Sequence, residues 1–253
     1  MLVRRRVDIL HSHMFQASRL ASPLGWLARV PVVIETPHVR EHWRKGWIKG
    51  SYFIDRLVAR FVTAYIAVSE ANGEYLRTEK RLPREKIFVI RNGSPIERFD
   101  PTRAAPPALR AALGIDQNAP VVLVLARLEP QKGHRVLLEA WKSVAQSYPA
   151  ARLVCAGDGV LRAELEAQAA ALGIAGSVSF VGQQPNVPDW LALADFTVLP
   201  SFYEGLPLAA IESLAAGRPV TDRPENRSSR CAWRRLARAI TFNYNFFLVP
   251  TRS

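Results

Sequence analysis

The sequence has little cysteine and no long uninterrupted apolar run. Its two cysteines, Cys155 and Cys231, lie far apart and show no metal-ligand spacing, which excludes a disulfide-stapled scaffold and a cysteine-based zinc site. No apolar stretch reaches the roughly 18–20 residues of a membrane-spanning helix, and the residues after Met1 do not resemble a cleavable signal peptide. We therefore expect a cytoplasmic protein in which Cys155 is a buried, reduced thiol.

Acidic residues are also scarce relative to basic ones, and the net charge is +12. With 49% hydrophobic and 22% charged residues, the composition is that of a globular chain and excludes a disordered one. The charge is +9 over residues 1–103, −2 over 104–220 and +5 over 221–253. The basic first half could approach nucleic acid or the anionic inner face of a membrane, although a solvated basic surface accounts for it equally well.

Short β-branched runs alternate with amphipathic helical stretches along most of the chain. The runs are apolar almost throughout, as expected for strands of a parallel sheet that is buried on both faces. Strand–helix–strand repetition predicts an α/β fold of doubly wound, Rossmann-like sheets. The predicted strands are 7–13, 31–38, 64–69, 86–93, 120–127, 151–157, 177–182 and 195–201.

Two such domains are expected, joined by a Pro- and Ala-rich linker at 100–120. The predicted domains are 1–105, which is incomplete, and 106–220, with a ligand cleft between them outside the carboxyl ends of the strands. Residues 221–253 lack this alternation of strand and helix segments, and we interpret them as an atypical basic tail that is out of frame or disordered. Residues 231–240 could alternatively form a basic amphipathic helix for a membrane or a partner.

Two motifs carry candidate chemistry. In "ARLEPQKGH", a strand ends at Arg127, and Lys132–Gly133 precedes a helix. Two cations beside a helix N-terminus suit a diphosphate, because the free N–H groups and the macrodipole attract anions. The alternative is that these cations only pair with Glu129.

The second motif, "PSFYEGLPLAAIESLAAGRPV", places Glu204 at a bend and Glu212 one helical turn inside the next helix. Gly205 permits close backbone approach to a ligand, and Pro207 suits the first turn of a helix. Glu212 could accept two ribose hydroxyls, as acidic residues do in dinucleotide folds. Glu204 could accept hydrogen bonds from sugar hydroxyls or merely stabilise the helix N-terminus.

These motifs in this order, Arg127, Lys132–Gly133, Pro200–Ser201, Glu204 and Glu212, resemble the retaining, nucleotide-sugar-dependent glycosyltransferases of family 4, also called group 1, which have the GT-B fold. The resemblance covers residues 7 to about 220. It implies a glycosyltransferase, truncated at both ends, that transfers a sugar from a nucleoside-diphosphate donor with retention of configuration. It implies no cofactor and no metal, and a lipid, polysaccharide or small-molecule acceptor.

The resemblance also implies roles for individual residues. Arg127 and Lys132 would hold the donor diphosphate, and Glu212 the ribose. Glu204 would contact the transferred sugar, as would His38, for which a capping or buried structural histidine is the alternative. Further donor-binding positions are the backbone around Gly205, Leu206 and Leu208, and Gly182 near the base. His11 and His13 are interpreted as structural.

The ends of the chain depart from the family pattern. The Gly-rich loop of the first strands is missing, and nothing after Val220 matches the family's continuation. A catalytically inactive nucleotide-binding remnant is therefore the main alternative. A basic nucleic-acid-binding protein is a remote one, since interleaved aromatics and known modules are lacking, and a nucleotide-sugar epimerase is more distant still.

Overall fold

The computed structural model describes residues 6–41, Arg44 and residues 51–222. The chain forms two compact units, Met1–Gly93 with Glu204–Leu206, and Ser94–Tyr203 with the residues from Pro207 onwards. The sequence-based interpretations of Cys231 and of residues 231–240 lie outside the described residues. Within the described residues, no helix is long and apolar enough to cross a membrane.

The first unit is built on a four-stranded parallel sheet in the order β1-β2-β3-β4. Helices connect its parallel strands, and Ser69 caps one of these helices by accepting a hydrogen bond from the Asn72 amide at 3.2 Å. The strands are β1 (Ile9–His13), β2 (Val32–Thr36), β3 (Ala64–Ala67) and β4 (Ile87–Val89), and the helices are α1 (Phe15–Leu27), α2 (Tyr52–Val58) and α3 (Glu70–Thr78).

The second unit contains a five-stranded parallel sheet in the order β7-β6-β5-β8-β9. The order reverses at β5, so β5 and β8 are neighbours although two strands separate them in sequence. The strands are β5 (Val121–Leu125), β6 (Arg152–Ala156), β7 (Val178–Gly182), β8 (Phe196–Leu199) and β9 (Val220–Asp222). The helices are α4 (Pro107–Ala112), α5 (His134–Ser147), α6 (Arg162–Ala171), α7 (Val187–Leu193) and α8 (Leu208–Ala215).

The predicted α/β class with parallel sheets is confirmed, and each of the eight predicted runs contains a strand. Two details differ from the prediction. The segment 100–120 is not a bare linker, because it forms α4 and contributes Ile115 and Ala119 to the core of the second unit. The sheet also extends past Val220, since β9 includes Thr221 and Asp222 of the predicted tail.

Apolar clusters cover both faces of the second sheet, as the continuous apolar strands predict. Successive residues of β5 point to opposite faces, Val121 and Leu123 to one cluster and Val122 and Val124 to the other. Cys155 is buried in the second cluster, and burial raises the pKa of its thiol to about 12. The prediction of a buried, reduced thiol at this position therefore agrees with the structure.

The first unit buries charge as well as apolar surface. We define its buried ionic network as Glu35, Glu41, Arg44, Asp55 and Lys80, each at most 7% exposed. The Lys80 ammonium lies 3.0 Å from Glu41 Oε2 and 3.0 Å from Asp55 Oδ2, and Arg44 donates to Asp55 Oδ2 at 2.7 Å. Three carboxyl groups thus face two cations, and the network is neutral only when one carboxyl carries a proton.

Glu35 is the carboxyl group that holds this proton. Burial, opposed by the Lys80 charge and reinforced by Asp55, raises the pKa of Glu35 from 4.5 to about 7. Between these two values the folded chain retains a proton that the unfolded chain has released. Stability therefore falls as the pH rises through this window, by up to about 3 kcal/mol in all.

Replacing Glu35 by Gln should remove this contribution, because the amide keeps the shape of the protonated acid and does not titrate. We expect wild type and Glu35→Gln to unfold similarly near pH 5, and the variant to become progressively more stable than wild type up to pH 8. Urea unfolding at several pH values measures the difference between the two proteins. Parallel stability curves would contradict the assignment of the proton to Glu35.

Candidate functional site at the edge of the second sheet

The loop after β5 presents Arg127 and Lys132 near the carboxyl end of the sheet. Arg127 is largely exposed and donates to Glu129 Oε1 at 2.6 Å. The pairing with Glu129 that we named as the alternative is thus present for Arg127. An exposed ion pair of this kind contributes about 0–1 kcal/mol, so a multiply charged ligand can displace Glu129 at little cost.

The N-terminus of α5 has the character of an anion site. A 3₁₀ turn, Pro130–Lys132, leads to Gly133, which caps the 14-residue helix in the left-handed conformation with a φ of 74°. No side chain caps this helix, and its first turn contains no acidic residue. The first amides therefore remain for an external acceptor, and the macrodipole favours an anion there.

Close backbone packing fixes this loop against the end of β8. The Phe202 amide donates to the Gln131 carbonyl at 2.9 Å, and a Cβ at position 133 would overlap the Pro200 carbonyl oxygen. Only glycine fits here, both because of the positive φ and because of this approach. The Lys132–Gly133 turn and the Pro200–Ser201 strand end, which the sequence singled out separately, are therefore adjacent.

The ends of β6 and β7 join the same edge. The Gly157 amide donates to the Gly182 carbonyl at 2.8 Å, and the Ala126 amide donates to the Ala156 carbonyl at 3.2 Å. A Cβ at Gly157 would overlap the Ala126 carbonyl oxygen. Gly182 thus lies at the carboxyl edge together with the Arg127 loop, as expected for parallel strands.

Glu212 lies one turn inside α8 and is half-buried. The Ser94 hydroxyl donates to its Oε1 at 3.0 Å, so the carboxylate already accepts a hydrogen bond from an alcohol. Leu208, at the start of α8, precedes the first intrahelical hydrogen bonds of that helix, which run to the Pro207 carbonyl from Ala210 and Ile211. This helix end therefore also has amides available to an acceptor.

The other predicted site residues belong to the first unit. Glu204, Gly205 and Leu206 group with it, and the Ser69 hydroxyl donates to the Gly205 carbonyl at 3.1 Å. A Cβ at Gly205 would overlap the carbonyl oxygen of His38. His38 itself follows β2 and bonds to His13, as described below. The structure thus brings Gly205 next to His38, which the sequence did not indicate.

Sequence reasoning missed His134, the first residue of α5. Its side chain is 1% exposed, and neither ring nitrogen has a hydrogen-bond partner among the described residues. Burial, and secondarily the Lys132 charge, lowers the pKa of His134 to about 4, so the ring is neutral at physiological pH. The signal in the sequence was its position directly after Lys132–Gly133, at the end of a motif in which it has no predicted role.

Curated relatives of this chain are glycosyltransferases. It is 29% identical over 225 residues to an Escherichia coli UDP-Gal:alpha-D-GlcNAc-diphosphoundecaprenol alpha-1,3-galactosyltransferase, with 87% of this chain and 58% of that protein covered. It is 32% identical over 246 residues to the D-inositol 3-phosphate glycosyltransferase of Thermobispora bispora, with 85% of this chain and 54% of that protein covered. The chain thus spans little more than half the length of these relatives.

Solved structures show the same fold. HepE of Anabaena, in complex with UDP and glucose, superposes with a TM-score of 0.77 at 23% identity, over 90% of this chain and 63% of that one. A sucrose-phosphate synthase from Thermosynechococcus elongatus gives a TM-score of 0.69 at 21% identity, over 89% of this chain and 58% of that one.

Two family models match successive parts of the chain. Residues 1–93 match the glycosyl transferase 4-like domain, and residues 107–221 match the glycosyl transferases group 1 model. These ranges contain the strands of both sheets up to Thr221 and every predicted site residue. The chain therefore belongs to the group 1, family 4-type glycosyltransferases with the GT-B fold.

Proposed function

We propose that the second unit binds a nucleoside-diphosphate sugar at the carboxyl edge of its sheet, as the donor in a glycosyl transfer. The observation that carries this proposal is the uncapped N-terminus of α5, with Lys132 and Gly133 held against Pro200. Relatives named as sugar transferases and a neighbour of the same fold solved with UDP and glucose support this donor class.

In this proposal the cations act on the diphosphate. Arg127 exchanges its exposed pairing with Glu129 for the phosphate oxygens, and Lys132 adds a second charge at the helix end. The two cations thereby stabilise the negative charge that develops on the departing diphosphate. Electrostatic stabilisation of charge that develops in the transition state is usually the largest contribution to catalysis. Glu212 accepts the ribose hydroxyls, and the base lies near Gly182.

Further parts of the proposal concern the sugar. Glu204 and His38 contact it, the amides around Gly205–Leu208 assist, and transfer retains the anomeric configuration without a metal ion. The acceptor is a lipid, a polysaccharide or a small molecule, and the protein acts in the cytoplasm, with the basic N-terminal half near the inner membrane face. Family membership and the charge distribution support these parts.

Calorimetric titration with UDP and UDP-glucose tests donor binding. We expect saturable binding that Arg127→Ala and Lys132→Ala each weaken by about 10- to 100-fold, the effect of losing one charge-assisted hydrogen bond. Glu212→Gln should weaken binding about tenfold, because an amide accepts only one of two hydroxyl donors. GDP- and ADP-glucose are measured in parallel to identify the base.

Lys142→Ala is the matched control. Lys142 is exposed on α5, about two turns beyond the start of that helix, so its loss changes the net charge equally without touching the proposed site. Equal weakening by the control and by Arg127→Ala would contradict a specific diphosphate site. Binding of UDP-glucose without release of UDP, in the presence or absence of EDTA, would favour the inactive nucleotide-binding remnant.

A further inference from the structure

Three histidines of the first unit meet at the carboxyl ends of β1 and β2. His11 and His13 lie on one face of β1, and His38 follows β2 by two residues. Nδ1 of His13 and Nε2 of His38 are 2.9 Å apart, and the two rings are stacked at 5.1 Å. The ring of His11 lies 4.2 Å from that of His13, and its Nε2 bonds to Thr36 Oγ1 at 2.7 Å.

In this geometry, His38 has one ring nitrogen that can bind a group other than His13. Its Nε2 is engaged by His13, whichever of the two rings donates, so only Nδ1 can meet another group. Among the described residues, no three His, Cys, Asp or Glu side chains form a group that could hold a metal ion. The histidines are therefore better described as a hydrogen-bonded pair with a third ring beside it than as a metal site.

The surroundings of His38 and His11 favour their neutral forms. Burial, then the positive charges that His13 and His11 would carry, lower the pKa of His38, and burial and His13 lower that of His11. The titratable groups that act on the His38 ring are thus the two imidazoles of β1. The segment that contains Gly205 packs against the His38 carbonyl, and it also carries Glu204.

We propose that His13 is a positioning residue for His38: by holding Nε2, it fixes the orientation of the His38 ring and leaves Nδ1 to meet a sugar hydroxyl. This inference rests on the proposed function, in which His38 contacts the transferred sugar. When one direction of the His13–His38 bond dominates, Nδ1 has one role, as acceptor if Nε2 donates and as donor if Nε2 accepts. The proposal gives His13 a function beyond the structural one expected from the sequence.

Two substitutions separate the hydrogen bond from the packing. His13→Phe keeps a ring for stacking and removes the bond. His13→Asn restores the bond, because the Asn side-chain amide occupies nearly the position of Nδ1. His11→Gln is the control: it removes the third imidazole and retains a polar group near Thr36. Each variant of the full chain is labelled with ¹⁵N-histidine, and ring nitrogen shifts are followed against pH by long-range ¹H–¹⁵N correlation.

In wild type and His13→Asn we expect the two His38 nitrogens to differ strongly in shift, as in one fixed tautomer. In His13→Phe the shifts should approach each other as tautomers mix, and the His38 pKa should rise, because the charge that His13 would carry is gone while burial, the larger cause, remains. Should His13→Phe leave both the shifts and the pKa of His38 unchanged, the proposal is overturned. Collapse of the shifts in His13→Asn as well would also count against it, because packing alone would then explain the effect.

A kinetic measurement connects the pair to turnover. With UDP-glucose as donor, His13→Phe should move the acidic limb of the kcat profile to higher pH while KM changes less than twofold. The NMR outcome does not depend on nucleotide binding, which resides in the other unit. Failure of UDP to bind would thus refute the proposed function and leave the test of the histidine pair intact, while an unchanged pH profile in an active enzyme would refute the positioning role.

Discussion

Replacing Lys80 by Met is expected to cost the first unit about 3–5 kcal/mol of stability, the usual effect of breaking a buried ion pair from one side. The Lys80 ammonium is 3.0 Å from one oxygen of each of two buried carboxylates, Glu41 and Asp55. Without it, three carboxyl groups share the single Arg44 cation in a region that excludes water. One carboxylate must then remain uncompensated or take up a proton.

Because the chain has two units, the measurement should be local. Hydrogen exchange of amides in β3 and β4 reports the first unit, and exchange in β5 and β6 reports the second. We expect Lys80→Met to increase exchange in β3 and β4 by at least a hundredfold, which corresponds to about 2.7 kcal/mol, while β5 and β6 keep their protection.

Two companion variants test the electrostatic explanation. Lys142→Met makes the same chemical change at an exposed position of α5 and should alter stability by no more than about 0.5 kcal/mol. Glu41→Gln, added to Lys80→Met, removes one of the orphaned carboxylates and should recover part of the loss. In the contradicting outcome, Glu41→Gln lowers the free energy of unfolding by the same amount in Lys80→Met as in wild type. The two side chains would then not be coupled, and the network would not contribute to stability through this pair.

Gly133→Ala is expected to destabilise the second unit by about 2–4 kcal/mol and to abolish measurable UDP binding. The left-handed φ of 74° costs a residue with a Cβ about 1–2 kcal/mol. The added overlap with the Pro200 carbonyl forces the start of α5 away from the end of β8. Lys132 and the first amides of α5 move with it, so the effect on binding should exceed the effect on stability.

Gly173→Ala separates these two contributions. Gly173 has almost the same φ, 72°, but a Cβ there would meet nothing within 4 Å. It should therefore lose only the conformational part of the stability, about 1–2 kcal/mol, and bind UDP like wild type. Thermal unfolding and calorimetric titration of both variants provide the comparison. If the two variants lose the same stability and bind UDP equally well, the close approach of Gly133 to Pro200 is not important.

The sequence predicted the central strands of the second sheet well because apolar clusters cover both of their faces. Runs such as Val121–Leu125 contain no polar residue that would interrupt the apolar pattern. A glycine or a proline marks the beginning or the end of most of these runs. The end of the second sheet was less predictable: β9 has only three residues, Val220–Asp222, and it begins directly after Pro219. Its place beside β8 depends on pairing with that strand, which local composition does not encode.

For the site, the sequence located the loops but not their mutual contacts. Arg127, Lys132 and Gly182 follow predicted strands, so parallel topology alone places them at one edge. The contact of Gly133 with Pro200 and the pairing of His13 with His38 join residues far apart in sequence. The buried ionic network was invisible for the same reason: Glu35, Asp55 and Lys80 are ordinary surface residue types until the fold encloses them.

The hydrogen bond from Ser94 to Glu212 has a consequence for ligand choice. At Oε1 of Glu212, one alcohol donor replaces another in the proposed ribose contact, so the exchange at this oxygen releases little net energy. A 2′-deoxy ligand would leave Ser94 in place rather than strand an unpaired carboxylate. A site strongly rejects an analogue that lacks a hydroxyl when the analogue leaves a polar group of the site unpaired. Because Ser94 can remain bonded to Glu212, we expect the site to discriminate weakly between ribose and deoxyribose.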